Sequence, residues 1–149
     1  MTETSKMKIK MNRLLSLTGF ILFVLIGCSE PEGFIQPEDP LDAGREFIRA
    51  VMDGDYEEAE LYLSEDAEDK ELFSRYKQYM KKQPQKERLS LKSASIIINK
   101  LENQGDSICL INFSNSHSMK PMDLKVINEK NGWKVDFSYT FSGNLPLQD

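Results

Sequence analysis

"EKNGWKVDFSYTF", residues 129–141, is the stretch from which the fold is read. Asn131-Gly132 is a two-residue hairpin signal, because the tight primed turns need positive φ and this pair reaches it at little steric cost. Behind it the residues alternate. Trp133, Val135, Phe137, Tyr139 and Phe141 make one apolar stripe, with Lys134, Asp136, Ser138 and Thr140 facing away. A period of two sustained this far predicts a long last strand with one face on a core.

Upstream, Leu124 and Val126 share a face in a third strand at about 122–128. "NQGD", residues 103–106, turns into a second strand at 107–116, in which Cys109, Ile111 and Phe113 share parity. Leu89 and Leu91 alternate, and the apolar parity then shifts to Ala94, Ile96 and Ile98. That shift predicts a bent first strand from Arg88 with a β-bulge near Ser93. Four strands joined by hairpins give an antiparallel meander.

Before Pro84 the apolar period lengthens to that of a helix. Asp39 is placed to cap a first helix, with Pro40 at its first position and Gly54 as its stop. Leu41, Gly44, Phe47, Ile48 and Val51 form its stripe. Asp55 and Glu58 have capping-box spacing for a short second helix presenting Tyr56, Ala59 and Leu63. Ser64 is the expected cap of a third, with Leu72, Phe73, Tyr76, Tyr79 and Met80 as its stripe. The expected fold is therefore α+β: three N-terminal helices packed on a curved four-stranded antiparallel meander.

The chain opens differently. Lys6, Lys8, Lys10 and Arg13 precede the apolar run "LLSLTGFILFVLIG", residues 14–27, and then Cys28. A basic start followed by an apolar stretch is the order of a secretory signal. Ser16, Thr18 and Gly19 interrupt the run, and it falls short of the ~20 apolar residues that span a bilayer. "LIGC", residues 25–28, resembles the lipobox of bacterial lipoproteins. That resemblance implies cleavage between Gly27 and Cys28, diacylglycerol on the Cys28 sulfur, and membrane attachment by at least two acyl chains, which suffice for stable anchoring where one does not. Serine after the cysteine is similar to the pattern sent to the outer membrane, and Glu30 and Glu32 resemble acidic surface-export tags. The expected location is the cell envelope, most often the outer membrane. The organisation is a signal peptide at 1–27, an acidic, proline-rich tether at 28–39, a folded domain at 40–141 and a tail at 142–149.

Of two cysteines, Cys28 is assigned to lipid, which leaves Cys109 without a disulfide partner and reads as a small buried residue of a strand. The 149-residue chain carries a formal charge of −5. Residues 30–71 hold sixteen acids against three bases, and residues from 72 onward seven acids against twelve bases. Arg75, Lys77, Lys81, Lys82, Lys86, Arg88 and Lys92 cluster where the sign changes. No aromatic residues interleave Lys81 to Lys92 as base-stacking platforms, so nucleic acid is not the expected partner. The cluster reads first as a solvated face, with anionic envelope glycans bound through Lys81, Lys82 and Lys86 as an alternative.

The motifs "AGREFIRAVMDGDYEEAELYL", residues 43–63, and "NEKNGWKVDF", residues 128–137, resemble bacterial lipoproteins built on the nuclear-transport-factor-two-like (cystatin-like) fold, including a domain of unknown function related to lumazine-binding-like proteins. The resemblance covers about 40–141. It implies a strongly curved sheet wrapped around helices as a cone, whose open end holds a small ligand in some members. Some members are isomerases or dehydratases with an Asp, His or Tyr inside the cone; others only bind. The fold alone does not choose between these.

The candidate chemistry is sparse. The stripe parity sends Asp136, Asp123 and Lys125 away from the inner face, leaving His117 and Tyr139 as candidates for proton transfer or hydrogen bonding. Trp133, Phe137 and Tyr139 are the expected ligand-lining residues. One histidine and one buried cysteine supply no zinc set, no phosphate-cradling loop is present, and no cofactor is expected. The leading expectation is a membrane-anchored lipoprotein that binds a partner or small ligand without catalysis. An isomerase- or dehydratase-like cone enzyme using His117 or Tyr139 is the alternative.

Overall fold

The computed structural model describes residues 34–141. The leader, Gly27, Cys28 and the tail at 142–149 lie outside the described residues. Helices α1 (Pro40–Asp53), α2 (Tyr56–Leu61), α3 (Ala67–Lys82) and α4 (Gln85–Ser93) precede strands β1 (Ile96–Asn103), β2 (Ile108–Asn115), β3 (Met122–Glu129) and β4 (Gly132–Asp136), and a short α5 (Phe137–Phe141) follows. The strands pair antiparallel in the order β1-β2-β3-β4. The domain is α+β with a four-stranded meander.

The ends of α1 are set by the residues expected to set them. The Asp39 carboxylate accepts the N–H of Leu41 at 2.7 Å, Pro40 opens the helix, and Gly54 closes it in the left-handed region at φ 79°. Asp55 likewise accepts the N–H of Glu58 at 3.0 Å to start α2. At α3 the cap is Asp66, whose carboxylate accepts from Glu68 N at 2.8 Å. Ser64, expected in that role, instead accepts the N–H of Asp66 and holds the turn before it.

Four helices lead the sheet, one more than expected. The Leu89/Leu91 alternation belongs to α4 and not to a strand, and the bulge falls between Ile98 and Lys100 instead of near Ser93. Gln, Lys, Glu, Arg and Leu dominate 85–91, all good helix formers, and two leucines two residues apart leave a helix in different directions. Leu91 is half-buried while Leu89 stands in solvent. Arg49 fastens the end of α4, donating to the carbonyls of Lys92 at 2.9 Å and Ala94 at 3.0 Å.

The last strand is also shorter than its pattern. It ends at Asp136, whose carboxylate accepts from the N–H of Tyr139 and the hydroxyl of Ser138, both at 3.0 Å, and so caps α5. Val135 and Phe137 are fully buried and Trp133 and Phe141 half-buried, but Tyr139 is 47% exposed and Thr140 is buried. The five-residue stripe is therefore broken by a change of period at Phe137. Phe137 sits among Phe73 at 5.1 Å, Phe141 at 4.2 Å and Phe47 at 6.1 Å between ring centroids. Burying each such ring removes on the order of 150–250 Å² from water.

The outer edge of β4 is covered. Val135 exchanges backbone hydrogen bonds with Tyr62 and Ser64 at 2.8 and 3.0 Å. Residues 34–38, in the stretch read as tether, lie along the same edge: Phe34 meets Tyr62 edge-on at 5.1 Å, and Gln36 donates to the Trp133 carbonyl at 2.6 Å. The Trp133 indole N–H donates to the Glu38 carbonyl at 3.1 Å. Lys134, expected to face water, is 7% exposed. Its ammonium donates to Leu61 O at 2.6 Å and Gln36 Oε1 at 2.9 Å. Burial lowers its pKa, opposed by Glu65 and Glu129.

Candidate functional site

A cleft of about 310 Å³ opens between α1, α3, α4 and the inner face of the sheet. Its floor is apolar. Phe47, Ile48 and Met52 come from α1, Tyr76 and Met80 from α3, and Phe113 and Leu124 from the strands, all buried. These positions follow from the two periods, since helix spacings of three and four and strand spacings of two send them to one interior. The volume lies at the lower end of the about 300–1,000 Å³ usual for small-molecule sites.

Polar groups gather at the rim. The His117 imidazole Nε2 lies 2.7 Å from Glu87 Oε1, joining the turn after β2 to α4 across 30 residues of sequence. The buried Asn115 shapes that turn, its side-chain oxygen accepting the N–H groups of His117 at 3.1 Å and Ser118 at 2.9 Å. Deeper in, Tyr76 is 7% exposed and borders the cleft. Burial pushes its phenol pKa well up, with Tyr56 and Tyr79 adding to the rise, so the hydroxyl stays protonated.

The expected residues divide sharply. His117 is on the rim. Phe137 is sealed in the core, Trp133 stands on the β4 edge against residues 36–38, and Tyr139 is exposed with the Lys125 ammonium 5.5 Å from its ring centre; none of the three borders the cleft. Lys81, Lys82 and Lys86 are exposed. Lys81 shares an open groove of about 700 Å³ with Lys77, Lys92 and the acids Asp53, Asp55, Glu57 and Glu58, so charges segregated along the sequence meet in space.

No sequence motif marks Glu87 or Tyr76 as a site residue. Tyr76 was legible as part of the α3 stripe, whereas Glu87 acquires its place only because 85–93 is a helix. Cys109 is buried in β2, and burial raises its thiol pKa, as does Asp39, consistent with a packing role. Among the described residues no group of three or more His, Cys, Asp or Glu is placed to hold a metal ion. Nor is any described helix long and apolar enough to cross a membrane. No protein-family model, curated protein or solved structure matches the chain.

Proposed function

We propose that this chain is a bacterial lipoprotein of the cell envelope, anchored through lipid on Cys28, whose domain is a cystatin-like cone that binds a small apolar ligand without catalysis. The apolar cleft of about 310 Å³ between the helices and the sheet carries the ligand reading. The run from Lys6 to Cys28 carries the anchoring. Ser29 behind the cysteine, similar to the pattern of lipoproteins sent to the outer membrane, supports an outer-membrane position.

Two measurements test this. Labelled palmitate is expected on the wild type and absent from Cys28→Ala; an unlabelled wild type overturns the anchor. Organic extraction of the purified native protein is expected to release a small apolar molecule that is missing from Leu91→Trp, which fills the cleft. Equal yields from both proteins overturn the ligand site.

One observation favours a second reading. A carboxylate 2.7 Å from an imidazole at the mouth of an apolar cleft is an arrangement for proton transfer, with Glu87 orienting His117. Under that reading the extracted molecule is chemically altered on incubation with the wild type and unaltered with His117→Ala.

A further inference from the structure

Tyr76 holds a hydrogen-bonding group among the buried apolar residues of the cleft, whose other polar lining residues are Tyr79, Glu87, Asn115, His117 and Ser118. Four rings fix it in place: Phe73 stacks at 6.1 Å, and Tyr56, Phe137 and Phe141 pack at 6.5, 5.7 and 5.4 Å. Its side chain is more than nine-tenths buried, yet no group among the described residues pairs with its hydroxyl. Nor is the hydroxyl sealed away. Thr140 Oγ1 is the one fully enclosed side-chain polar atom without a partner among the described residues, so the Tyr76 oxygen keeps accessible surface, and the Tyr76 side chain lines the cleft.

A phenol in apolar surroundings without a partner costs free energy until an acceptor arrives. Tyr76 is protonated, as burial favours the neutral form, so what it lacks is an acceptor for its one O–H. The charges on the wall are equally restrictive. Among the described residues no lysine or arginine borders the cleft, and the only carboxylate there, Glu87, is held by His117 at the rim. A carboxylate or phosphate head would find no ammonium or guanidinium to meet it, and Glu87 would repel it.

We propose that the cleft selects a neutral, largely hydrocarbon molecule carrying one acceptor oxygen, of the carbonyl class, which the Tyr76 hydroxyl engages. This rests on the reading of the cleft as a ligand site, and specifies what that site takes.

The test uses three probes of matched shape, 2-acetylnaphthalene, 2-ethylnaphthalene and 2-naphthoate, titrated by NMR into the full chain in lipid nanodiscs with empty discs as the blank. The ketone is expected to bind about 3- to 10-fold tighter than the hydrocarbon, the yield of one net hydrogen bond. The naphthoate is expected to bind most weakly. In Tyr76→Phe the ketone preference should fall to about one, with the affinity for the hydrocarbon unchanged. Hydrocarbon binding without a ketone preference, a preference that survives Tyr76→Phe, or tightest binding of the naphthoate overturns this inference and leaves the ligand site standing. Failure of all three probes to bind overturns both.

Discussion

Asp69, buried on α3, accepts the backbone N–H of Ser138 at 2.7 Å. The contact crosses 69 residues of chain and meets one of the donors that the start of α5 leaves open. Asp69→Ala leaves that part-buried N–H unpaired and is expected to destabilise the fold by about 1 kcal/mol in denaturant melts. Faster amide exchange at Ser138 should accompany it. A melt unchanged from the wild type would remove Asp69 from its place under α5.

Gly44 brings α1 against the sheet. A methyl group built there runs into Ile111 Cδ1, with Leu124 Cδ2 at 3.2 Å and Val126 Cγ2 at 3.4 Å. All three neighbours are fully buried and have little room to yield. In Gly44→Ala the gain in helix propensity of about 1 kcal/mol offsets part of the overpacking, so a small net change is expected. Gly44→Val adds bulk without that gain and should cost about 1–3 kcal/mol. Thermal melts of the pair check the order, and a valine variant as stable as the wild type contradicts the close approach.

Asp136 links pH to the last helix. Burial raises its pKa, but the Lys125 ammonium at 2.8 Å, the N–H of Tyr139 and the Ser138 hydroxyl outweigh this and leave it below the usual carboxylate range. A carboxylate with a depressed folded-state pKa contributes stability that is fully present above its unfolded value of about 3.9 and is lost as pH falls through the lower folded value. Asp136→Asn keeps a capping side chain but removes the charge. Its stability should therefore fall less steeply below about pH 4 than that of the wild type, as followed by urea midpoints across the acid range. Parallel acid slopes would count against the pairing with Lys125.

Tyr76 and Phe137 lie 5.7 Å apart between ring centres but should respond oppositely to truncation. Tyr76→Phe removes a hydroxyl that bonds to no described residue, so the melting temperature should hold or rise. Phe137→Ala opens a void among Phe47, Phe73 and Phe141 and should cost about 3–5 kcal/mol. Calorimetry of the two variants is the check, and a marked loss in Tyr76→Phe would mean that the hydroxyl already has a partner.

The sequence by itself determined the parts whose causes are local. Asp39, Pro40 and Gly54 bound α1 because capping and left-handed φ involve only neighbouring residues. Gly105 and Gly132 turn the chain at positive φ, and Cys109, Ile111, Leu124 and Val126 face the core because a strand alternates. The tertiary structure decided where local signals were weak or pointed elsewhere. The pattern of 137–141 is as strand-like as that of 133–136, and it turns to helix where Asp69 and Asp136 meet its open N–H groups. Leu89 and Leu91 alternate, yet the carbonyls at the end of α4 are claimed by Arg49 from 43 and 45 residues away. The cleft belongs to this second class. Tyr76 from α3, Glu87 from α4 and His117 from the turn after β2 share no local pattern, and only the packing of α3 and α4 against the sheet makes them neighbours.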